Sequence, residues 1–380
     1  MSLKVLIVPD KFKGTLTAQA AAQAIAKGWQ RIRPEDALEL LPMSDGGDGF
    51  GEVISAQMGA KAQPLKTVDA AHCPCRTKWW WQPGSKTAII ESANIIGLAQ
   101  LPPGRFHPFK LDTFGLGAAI RAAAAKGARR CLIGIGGSAT NDGGFGLARA
   151  LGWEFLDHSG SAITEWTQLH ALHRVRRPKR SRWFASLVVA VDVQNPLLGP
   201  QGCSRIYGPQ KGLRKEDFPL AERCLGRLAE VVKQELRHDY ANEPGAGAAG
   251  GLGFGLRCFL GARMQAGFDL FARHAELAKR LREADLVLTG EGAIDRQTLM
   301  GKGVGQIGQW CRQRNLPCLA LAGRVLTRDT KGCFTHAHAL TGLTRVEEAQ
   351  AKPAYWLRQL AMRAAQDYNR RLSPEAKACG

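Results

Sequence analysis

The chain has 380 residues and a formal net charge of +19. A single hydrophobic core stops growing at about 250–300 residues, so this length predicts two domains. No segment reaches the roughly 18 uninterrupted apolar residues of a membrane span, and Asp10, Lys11 and Lys13 follow the short apolar start where a signal peptide would have its cleavage site. This pattern excludes a membrane-spanning protein, and we expect a cytoplasmic protein with no membrane partner.

The ten cysteines are scattered through a long chain that carries no secretory signal, so reduced thiols are expected. Cys73 and Cys75 form a close pair that resembles half of a metal site. Structural zinc normally takes four ligands, and no second Cys or His pair follows at zinc-site spacing. A loop is therefore the better interpretation of this pair.

The high positive charge is compatible with a nucleic-acid-binding protein, because clustered Lys and Arg neutralise phosphates. The densest basic run is 173–182, which Pro178 interrupts just before an apolar segment. Such a run is typically a solvated loop. A nucleic-acid partner is therefore disfavoured, and attraction of anionic ligands or of nucleic acid by this run remains the alternative.

Apolar runs bounded by turn residues alternate with alanine-rich helical stretches, which is typical of a parallel sheet covered by helices. The predicted strands are 3–8, 38–41, 88–90, 131–135, 187–193, 286–289 and 318–322. The predicted helices are 18–31, 116–126, 218–235, 268–282, 304–314 and 355–371. We expect Thr17 to cap the first helix, because its hydroxyl can accept from the free amides of the first turn.

The predicted domain boundaries lie where this alternation of strands and helices is interrupted. Residues 62–84, which contain three prolines and the tryptophan triplet 79–81, could carry the chain into a second domain, and the glycine-rich stretch near residue 245 could carry it back. The predicted fold class is α/β, with two α/β domains, a mainly parallel Rossmann-like sheet and an inserted second domain. The discontinuous Rossmann-like domain comprises residues 1–75 and 285–380, and the inserted domain comprises residues 76–284.

Almost every predicted strand ends in a loop that combines glycine with a carboxylate. These loops contain Asp10, Asp45, Asp142, Asp192 and Glu291. In open α/β sheets, ligands bind outside the carboxyl ends of the strands, so these loops could converge on one site. Glycine lets backbone amides approach phosphate oxygens, and Mg²⁺ would offset the repulsion between phosphates and nearby carboxylates. The combination favours Mg²⁺-dependent phosphoryl transfer.

Standard nucleotide-binding motifs are absent from the sequence. No Gly-x4-Gly-Lys-Ser/Thr occurs, so a P-loop is excluded. Residues 245–250 match the dinucleotide pattern, but no predicted strand precedes them. Residues 134–139 do follow a strand, yet 140–144 would delay the helix that should seat the pyrophosphate. A dinucleotide-binding dehydrogenase is therefore the weaker alternative.

Seven motifs resemble, in order, those of the bacterial type (type 1) glycerate kinase family over about residues 3–325. They are 10–15, 43–49, 134–144, 192–199, 207–212, 245–253 and 289–298. The resemblance implies ATP- and Mg²⁺-dependent phosphorylation of D-glycerate, with 2-phosphoglycerate or 3-phosphoglycerate as product. It also implies an active site in the cleft between two domains. The sequence departs from the family pattern at Lys11, Ser44, Asp48 and Leu116.

Chemistry at the matching positions suggests roles for individual residues. The catalytic candidates are Asp45, Asp192 and Lys13, either carboxylate serving as proton acceptor or Mg²⁺ ligand and the lysine neutralising the transferring phosphoryl group. The candidates for binding substrate or phosphate are Asp10, Lys11, Gly46, Gly47, Ser138, Thr140, Asn141, Asp142, Asn195, Lys211, Gly250 and Gly251. The candidates for binding Mg²⁺ are Asp192, Glu291 and Asp295.

Other functions remain open at this point. The first is a kinase of a related small hydroxy acid, the second is a nucleic-acid-binding protein that uses the +19 charge, and the third is a catalytically dead sugar-acid sensor. The seven motifs would serve no purpose in a nucleic-acid groove, where their acidic groups would repel the phosphate backbone. We therefore expect ATP and D-glycerate as the small-molecule partners of a monomer or homodimer.

Overall fold

The computed structural model describes residues 2–301, 303–327, 330 and 332–372. The chain divides into two compact units, here called the first unit (Met1–Ser44 with Phe271–Gly380) and the second unit (Asp45–Leu270). Both combine helices with a mainly parallel sheet, and the predicted α/β fold class is confirmed. The units change over at 44/45 and 270/271, whereas the sequence predicts domain boundaries at 75/76 and 284/285.

The strands are numbered in chain order. They are β1 (Lys4–Pro9), β2 (Ala37–Leu40), β3 (Lys61–Val68), β4 (Pro74–Gln82), β5 (Thr87–Glu91), β6 (Arg130–Gly134), β7 (Glu154–Leu156), β8 (Arg174–Arg176), β9 (Ser186–Val191), β10 (Arg263–Ala266), β11 (Leu286–Ile294), β12 (Cys318–Val325) and β13 (His336–Ala339). The seven predicted strands all form, and β11 and β12 extend beyond the predicted ends at their carboxyl ends.

The helices are numbered in the same way. They are α1 (Ala18–Ile32), α2 (Phe50–Met58), α3 (Ala93–Ile96), α4 (Leu116–Ala125), α5 (Phe145–Ala150), α6 (Cys203–Lys211), α7 (Phe218–Leu236), α8 (Ala248–Leu260), α9 (Gly267–His274), α10 (Leu277–Glu283), α11 (Arg296–Leu299), α12 (Val304–Arg312), α13 (Val346–Ala351) and α14 (Pro353–Leu372). The predicted helix 268–282 is wrong as one element, because Glu276 adopts a left-handed φ of 48° between α9 and α10.

The first unit contains a five-stranded parallel sheet in the order β13-β12-β11-β1-β2. Buried apolar side chains of its strands pack against α1 and α14. The predicted cap of α1 is confirmed, since Thr17 Oγ1 accepts from the Ala20 amide at 3.1 Å. Because the strands are parallel, the loops that follow β1 and β11 begin at the same edge of the sheet.

A buried ion pair fixes the chain between α1 and β2. The Arg33 guanidinium donates two hydrogen bonds to Asp36, with distances of 2.6 and 2.9 Å, and Trp29 Nε1 donates to the same carboxylate at 2.9 Å. Burial raises the pKa of Asp36, but the hydrogen bonds from Arg33 and Trp29 outweigh it, so the pKa lies below its usual value. Both partners are thereby satisfied, as buried charges require.

The second unit contains a six-stranded sheet in the order β10-β9-β6-β5-β4-β3 and a small antiparallel pair, β7-β8. β10, β9, β6 and β5 are parallel, so the loops after β5, β6 and β9 leave the sheet at one edge. β4 pairs antiparallel with both β3 and β5. The larger part of the core of this unit consists of side chains from this sheet and from the helices that cover it.

The segment that the sequence predicts as a passage between domains is the β3-β4 hairpin of this sheet. Pro64 lies in β3 at the edge of the sheet, a position where the missing amide of proline is tolerated. Trp79 and Trp80 are each 3% exposed, and the ring of Trp80 packs directly on Gly51 of α2. Prolines and aromatic residues therefore mark an edge hairpin here.

No helix among the described residues is long and apolar enough to cross a membrane. Nine of the ten cysteines lie in the described ranges, and all nine are free thiols. Cys73 and Cys75 lie at the turn and at the start of the second strand of the β3-β4 hairpin.

The close contact between α1 and α14 leads to a prediction about stability. A Cβ on Gly28 would lie 2.3 Å from the Arg358 carbonyl oxygen and 2.7 Å from the Ala361 Cβ. We expect Gly28→Val to lower the free energy of unfolding by about 1–3 kcal/mol, because overpacking forces the helices apart. Urea unfolding followed by circular dichroism measures the change.

The matched control is Lys27→Val, which introduces the same side chain at the neighbouring exposed position of α1. Surface changes of this kind stay within about 0.5 kcal/mol. Equal stabilities of the two variants would show that α1 and α14 do not meet as closely as the structure has them.

Candidate functional site

The loop from Ile135 to Gly144, here called the β6-α5 loop, is held by a buried carboxylate. Asp142 is fully buried, and its Oδ2 accepts from the Thr113 amide at 3.0 Å, the Thr113 hydroxyl at 2.7 Å and the Gly146 amide at 2.9 Å. Its Oδ1 accepts from the Gly144 amide at 3.2 Å. These bonds join the loop to the start of α5 and to the segment before α4.

Burial raises the pKa of Asp142 to about 6, the negative charge of Asp112 adds to this effect, and the hydrogen bonds from Gly146 and Thr113 oppose it. Four donors already occupy the two oxygens, so Asp142 acts here as the group that shapes the loop. The sequence predicts Asp142 as a ligand-binding residue, and this role stays a prediction.

Lys211 is the last residue of α6, and its ammonium group contacts the β6-α5 loop. Its Nζ donates to the Thr140 carbonyl at 2.7 Å and to Ser138 Oγ at 3.3 Å. Only 7% of the residue is exposed, and burial lowers the pKa of Lys211 to about 8, although Cys203 and Asp142 oppose this effect. Within the described part of the chain Lys211 has no ion-pair partner.

A buried ammonium group without a counter-charge is costly, since burial removes its hydration. Among the described residues the Lys211 Nζ donates to two neutral oxygens, so one of its three N–H groups is left for an anion. The arrangement therefore favours binding of a phosphate or a carboxylate at this point.

Two further polar side chains of the loop complete its inner face. Ser138 Oγ lies 3.1 Å from the Ala249 carbonyl oxygen, to which it donates. Asn141 Nδ2 donates to Ser204 Oγ at 2.9 Å, whereas its buried Oδ1 has no hydrogen-bond partner among the described residues. A buried acceptor of this kind costs free energy until a donor reaches it. Asn141 is therefore suited to accept from a ligand hydroxyl.

The glycines of α8 allow the β6-α5 loop to pack closely. Ala249, Gly250 and Gly251 have positive φ angles, which interrupt the first turn of the helix. A Cβ on Gly250 would lie 2.0 Å from the Thr140 carbonyl oxygen, and the Gly250 carbonyl accepts from the Gly143 amide at 3.0 Å. Gly250 and Gly251 thus support the loop that holds Lys211, and direct contact with phosphate stays a prediction for both.

The loop 45–49 lies against the same strand ends. The Gly136 amide donates to the Gly46 carbonyl at 3.3 Å, and a Cβ on Gly136 would lie 2.5 Å from the Gly47 Cα. Asp45 Oδ1 accepts from the Gly47 amide at 3.1 Å. The structure therefore brings Asp45, Gly46 and Gly47 next to the β6-α5 loop, as the sequence predicts.

Glu91, at the carboxyl end of β5, is a residue of this region that sequence reasoning missed. Its two carboxylate oxygens accept from the Gly49 amide at 2.8 Å and the Gly51 amide at 2.9 Å, at the start of α2. Burial raises the pKa of Glu91, and the two hydrogen bonds oppose this effect. The signal was present, since Glu91 ends an apolar strand as the predicted carboxylates do.

Asp192 and Asn195 follow the carboxyl end of β9. Asp192 is exposed, and its charge adds to the effect of burial in raising the pKa of Tyr207. Asn195 Oδ1 accepts from Tyr207 Oη at 2.6 Å, and Asn195 Nδ2 donates to the Gln201 carbonyl at 2.8 Å. Tyr207 was part of a recognised motif, but the sequence gives no role for it, and the structure places it beside the predicted pair.

The remaining candidates belong to the first unit. Asp10 directly follows β1 and is 7% exposed, and its Oδ1 accepts from the Lys11 amide at 2.7 Å. Lys11 is half-buried and Lys13 is exposed. These three residues therefore lie in one loop at the carboxyl end of a central strand.

Glu291 and Asp295 follow in the same unit, at the end of β11. Glu291 Oε1 accepts from Thr298 Oγ1 at 2.8 Å. Asp295 caps α11, because its Oδ1 accepts from the amides of Gln297 at 2.8 Å and Thr298 at 3.1 Å. Among the described residues there is no group of three or more His, Cys, Asp or Glu side chains placed to hold a metal ion. The metal roles of Asp192, Glu291 and Asp295 stay predictions.

The buried carboxylate of Asp142 leads to a second stability prediction. Asp142→Ala leaves several buried donors without an acceptor, and each costs about 1–3 kcal/mol. We expect a loss of about 3 kcal/mol or more in the free energy of unfolding, measured by urea denaturation.

Asp157→Ala is the matched control, because Asp157 also accepts from nearby amides, those of Ser159 and Ser161, but in an exposed turn. Its replacement is expected to lower the free energy of unfolding far less than that of Asp142 does, because its donors remain hydrated. If both variants were equally stable, Asp142 would not be the anchor of the loop.

Comparison with known proteins gives a consistent result. The glycerate kinase family matches residues 5–369. The chain is 36% identical over 335 residues to the glycerate kinase of Halalkalibacterium halodurans, covering 87% of this chain and 88% of that protein. It is 36% identical over 356 residues to the glycerate 2-kinase of Escherichia coli strain K12, covering 91% of this chain and 93% of that protein.

A solved structure is also similar to this chain. A crystal structure of a protein assigned as glycerate kinase 2 from Salmonella typhimurium LT2 superimposes with a TM-score of 0.81 at 32% sequence identity. The match covers 97% of this chain and 99% of that one. Motifs, fold and near full-length similarity lead to one conclusion, that this chain belongs to the glycerate kinase family.

Proposed function

We propose that the protein transfers the γ-phosphoryl group of ATP to a hydroxyl group of D-glycerate, with 2-phosphoglycerate as the product. The observation that carries this proposal is the buried ammonium of Lys211, held by neutral oxygens of the β6-α5 loop and without an ion-pair partner among the described residues. Both ATP and glycerate are anionic, and either one supplies the missing counter-charge. Membership of the glycerate kinase family supports the same reaction.

Lys211 binds the glycerate carboxylate or a phosphate group in this proposal, and the Ser138 hydroxyl lies beside it. Asn141 accepts a hydrogen bond from a substrate hydroxyl, because its buried Oδ1 lacks a partner. The two interactions together would orient a molecule that carries a carboxylate next to a hydroxyl, as glycerate does. Positioning of this kind supplies much of the catalysis in phosphoryl transfer.

Asp192 and Asp45 are the candidates for accepting the proton of the substrate hydroxyl. Asp192 is exposed beside the Tyr207-Asn195 pair, whereas Asp45 Oδ1 is engaged by the Gly47 amide. A base must be accessible to the substrate hydroxyl, and the exposure of Asp192 meets this requirement. We therefore assign the base role to Asp192 first and keep Asp45 as the alternative.

The donor set suits Mg²⁺, which prefers carboxylate oxygens together with substrate phosphates. The residues proposed to hold it are Asp192, Glu291 and Asp295, and the ion when bound neutralises charge on the phosphates. Asp295 Oδ1 is engaged as a helix cap, so its Oδ2 is the oxygen proposed for this purpose. Lys13, with Lys11, neutralises the transferring phosphoryl group. Asp192 belongs to the second unit, whereas Glu291, Asp295, Lys11 and Lys13 belong to the first unit.

The 2-hydroxyl is the proposed acceptor, because a relative that is 36% identical over 91% of this chain is a glycerate 2-kinase. The alternatives are 3-phosphoglycerate as product and a related small hydroxy acid as substrate. The cytoplasmic location and the monomeric or homodimeric state stay predictions from the sequence.

The test is a reaction with purified protein, ATP, Mg²⁺ and D-glycerate. We expect ADP to form and phosphorus NMR to show 2-phosphoglycerate, with no ADP when D-glycerate is left out. Absence of turnover with D-glycerate and with other small hydroxy acids would overturn the proposal. A signal of 3-phosphoglycerate alone would overturn the choice of the 2-hydroxyl.

Asp192→Asn tests the base within the same assay. We expect turnover to fall by about 100-fold or more, since positioned general bases contribute about 10²–10⁴-fold. The midpoint of thermal unfolding should stay within a degree or two, because the side chain is exposed. Asp157→Asn, in an exposed turn, is the matched control and should keep full turnover. An unchanged rate for Asp192→Asn would remove Asp192 from the reaction.

The low pKa of Lys211 leads to a prediction about proton uptake on ATP binding. The pKa of Lys211 in the free protein is about 8, below the usual 10.5, so at pH 9 the amine is mostly neutral. An anion favours the ammonium form and raises this pKa again. Binding of ATP at pH 9 should therefore take up close to one proton, and at pH 6.5 almost none from this group.

Calorimetric titration in two buffers with different ionisation enthalpies measures this uptake. Lys211→Met should abolish the difference between the two pH values, whereas Lys126→Met, at an exposed position, should keep it. Equal proton uptake by the Lys211 variant and the native protein would show that Lys211 does not face the bound anion.

A further inference from the structure

A second concave region of the second unit is lined with arginines. A cavity of about 620 Å³, here called the arginine cavity, is lined by Arg177, Arg182, Arg257 and Arg263 and by buried apolar side chains. A smaller cavity of about 360 Å³ shares Arg177 with it. Both volumes lie in the usual range of small-molecule sites, about 300–1,000 Å³.

The arginine cavity lies at the opposite edge of the sheet from the candidate functional site. Ser186 and Arg263, which line it, are the first residues of β9 and β10. Asp192 follows the other end of β9, which is six residues long. At about 3.3 Å per residue the two ends of this strand are roughly 17–20 Å apart. A ligand in the cavity is therefore separate from one at the β6-α5 loop.

The positive charge of the cavity is only partly compensated. Arg257 pairs with Glu243 at 2.8 Å. Glu235, the acidic residue of the lining, lies 3.9 Å from Arg174. Arg177, Arg182 and Arg263 have no carboxylate partner among the residues that the structure describes. Three guanidinium groups of this cavity are thus left without counter-charge.

Aromatic rings hold two of the guanidinium groups at the cavity. Arg177 lies over Trp153, with 5.6 Å between the guanidinium carbon and the ring centroid, and Arg257 lies over Tyr240 at the same distance. Arg263 Nη2 donates to Ser186 Oγ at 3.5 Å across the neighbouring strand. Stacking and hydrogen bonding restrict these side chains, so less conformational entropy is lost when an anion binds.

Convergence of like charges on a concave wall raises the electrostatic free energy of the free protein, and a bound anion lowers it. Guanidinium groups match phosphate oxygens with two parallel hydrogen bonds. Three unpaired arginines therefore suit a ligand with two or three phosphate groups. Arg177 and Arg182 are exposed, in agreement with the solvated loop that the sequence predicts, and the cavity places both of them on one lining with Arg263.

We propose that the arginine cavity is a second anion-binding site, distinct from the site of the reaction, for a small molecule that carries two or more phosphate groups. The concave form and limited volume of the cavity favour a small molecule over a nucleic-acid strand, which needs an extended track of contacts. The proposal does not depend on the proposed kinase reaction, because it concerns binding at other residues.

Footprinting of arginines tests this proposal directly. The full-length protein is treated with phenylglyoxal, which modifies exposed guanidinium groups, with and without inorganic triphosphate and in the absence of Mg²⁺. Modification of each arginine is quantified by mass spectrometry of the peptides. We expect triphosphate at millimolar concentration or below to reduce modification of Arg177, Arg182 and Arg263 by about fivefold or more. Arg76 and Arg223, exposed arginines of the same unit, should react equally in both samples.

Each outcome decides the question. Equal modification of all five arginines with and without triphosphate overturns the proposal. Protection of the cavity arginines by a 20-nucleotide single-stranded oligonucleotide, with none by triphosphate, also overturns it and shows a nucleic-acid surface instead. Protection by triphosphate supports it whether or not the protein phosphorylates D-glycerate.

Double variants test which arginines bind triphosphate. Arg182→Ala combined with Arg263→Ala should weaken calorimetric binding of triphosphate to this site by about tenfold or more, whereas Arg76→Ala combined with Arg223→Ala should not. The cavity variant should keep the KM for ATP within about twofold, because its residues lie at the other edge of the sheet. Unchanged triphosphate binding in the cavity variant would overturn the assignment of these arginines.

Discussion

The candidate site depends on one buried carboxylate. Asp142 accepts four hydrogen bonds from Thr113, Gly144 and Gly146, although its burial raises its pKa to about 6. The cost of this burial is offset by the four hydrogen bonds, which also satisfy buried donors of the protein. With the loop fixed in this way, the Thr140 carbonyl and the Ser138 hydroxyl lie where the ammonium of Lys211 can be buried.

The two edges of the sheet in the second unit show two ways of placing positive charge. At the carboxyl ends of the strands a single ammonium is buried among neutral oxygens, and glycines let the backbone approach it closely. At the amino ends several guanidinium groups line an open cavity and remain hydrated. The first arrangement suits one precisely oriented anion, whereas the second suits several phosphate groups with less demanding geometry. Both arrangements depend on the parallel strands, which place their carboxyl ends at one edge of the sheet and their amino ends at the opposite edge.

Much of the fold could be predicted from periodicity. All seven predicted strands form, and Thr17 caps α1 as its hydroxyl chemistry requires. The predictions from sequence are wrong where tertiary packing outweighed the local preference of the residues. The prolines in 62–84 suggested a passage between domains, but an edge strand tolerates them. Glu276 interrupts a predicted helix, although glutamate is not a residue that favours turns. Glu91 was missed because it ends its strand without an adjacent glycine pair, although it caps α2 with both oxygens.

The sequence by itself determined the α/β class, the family and the set of loops that carry glycine with carboxylate, because these depend on local pattern and on the order of motifs. It could not show that Lys211 is buried, nor which donors hold the carboxylate of Asp142. Burial and hydrogen-bond partners arise from residues distant in the chain, such as Thr113 for Asp142 and Ser138 for Lys211. Only the tertiary structure decided which charges are buried, since that depends on packing between segments.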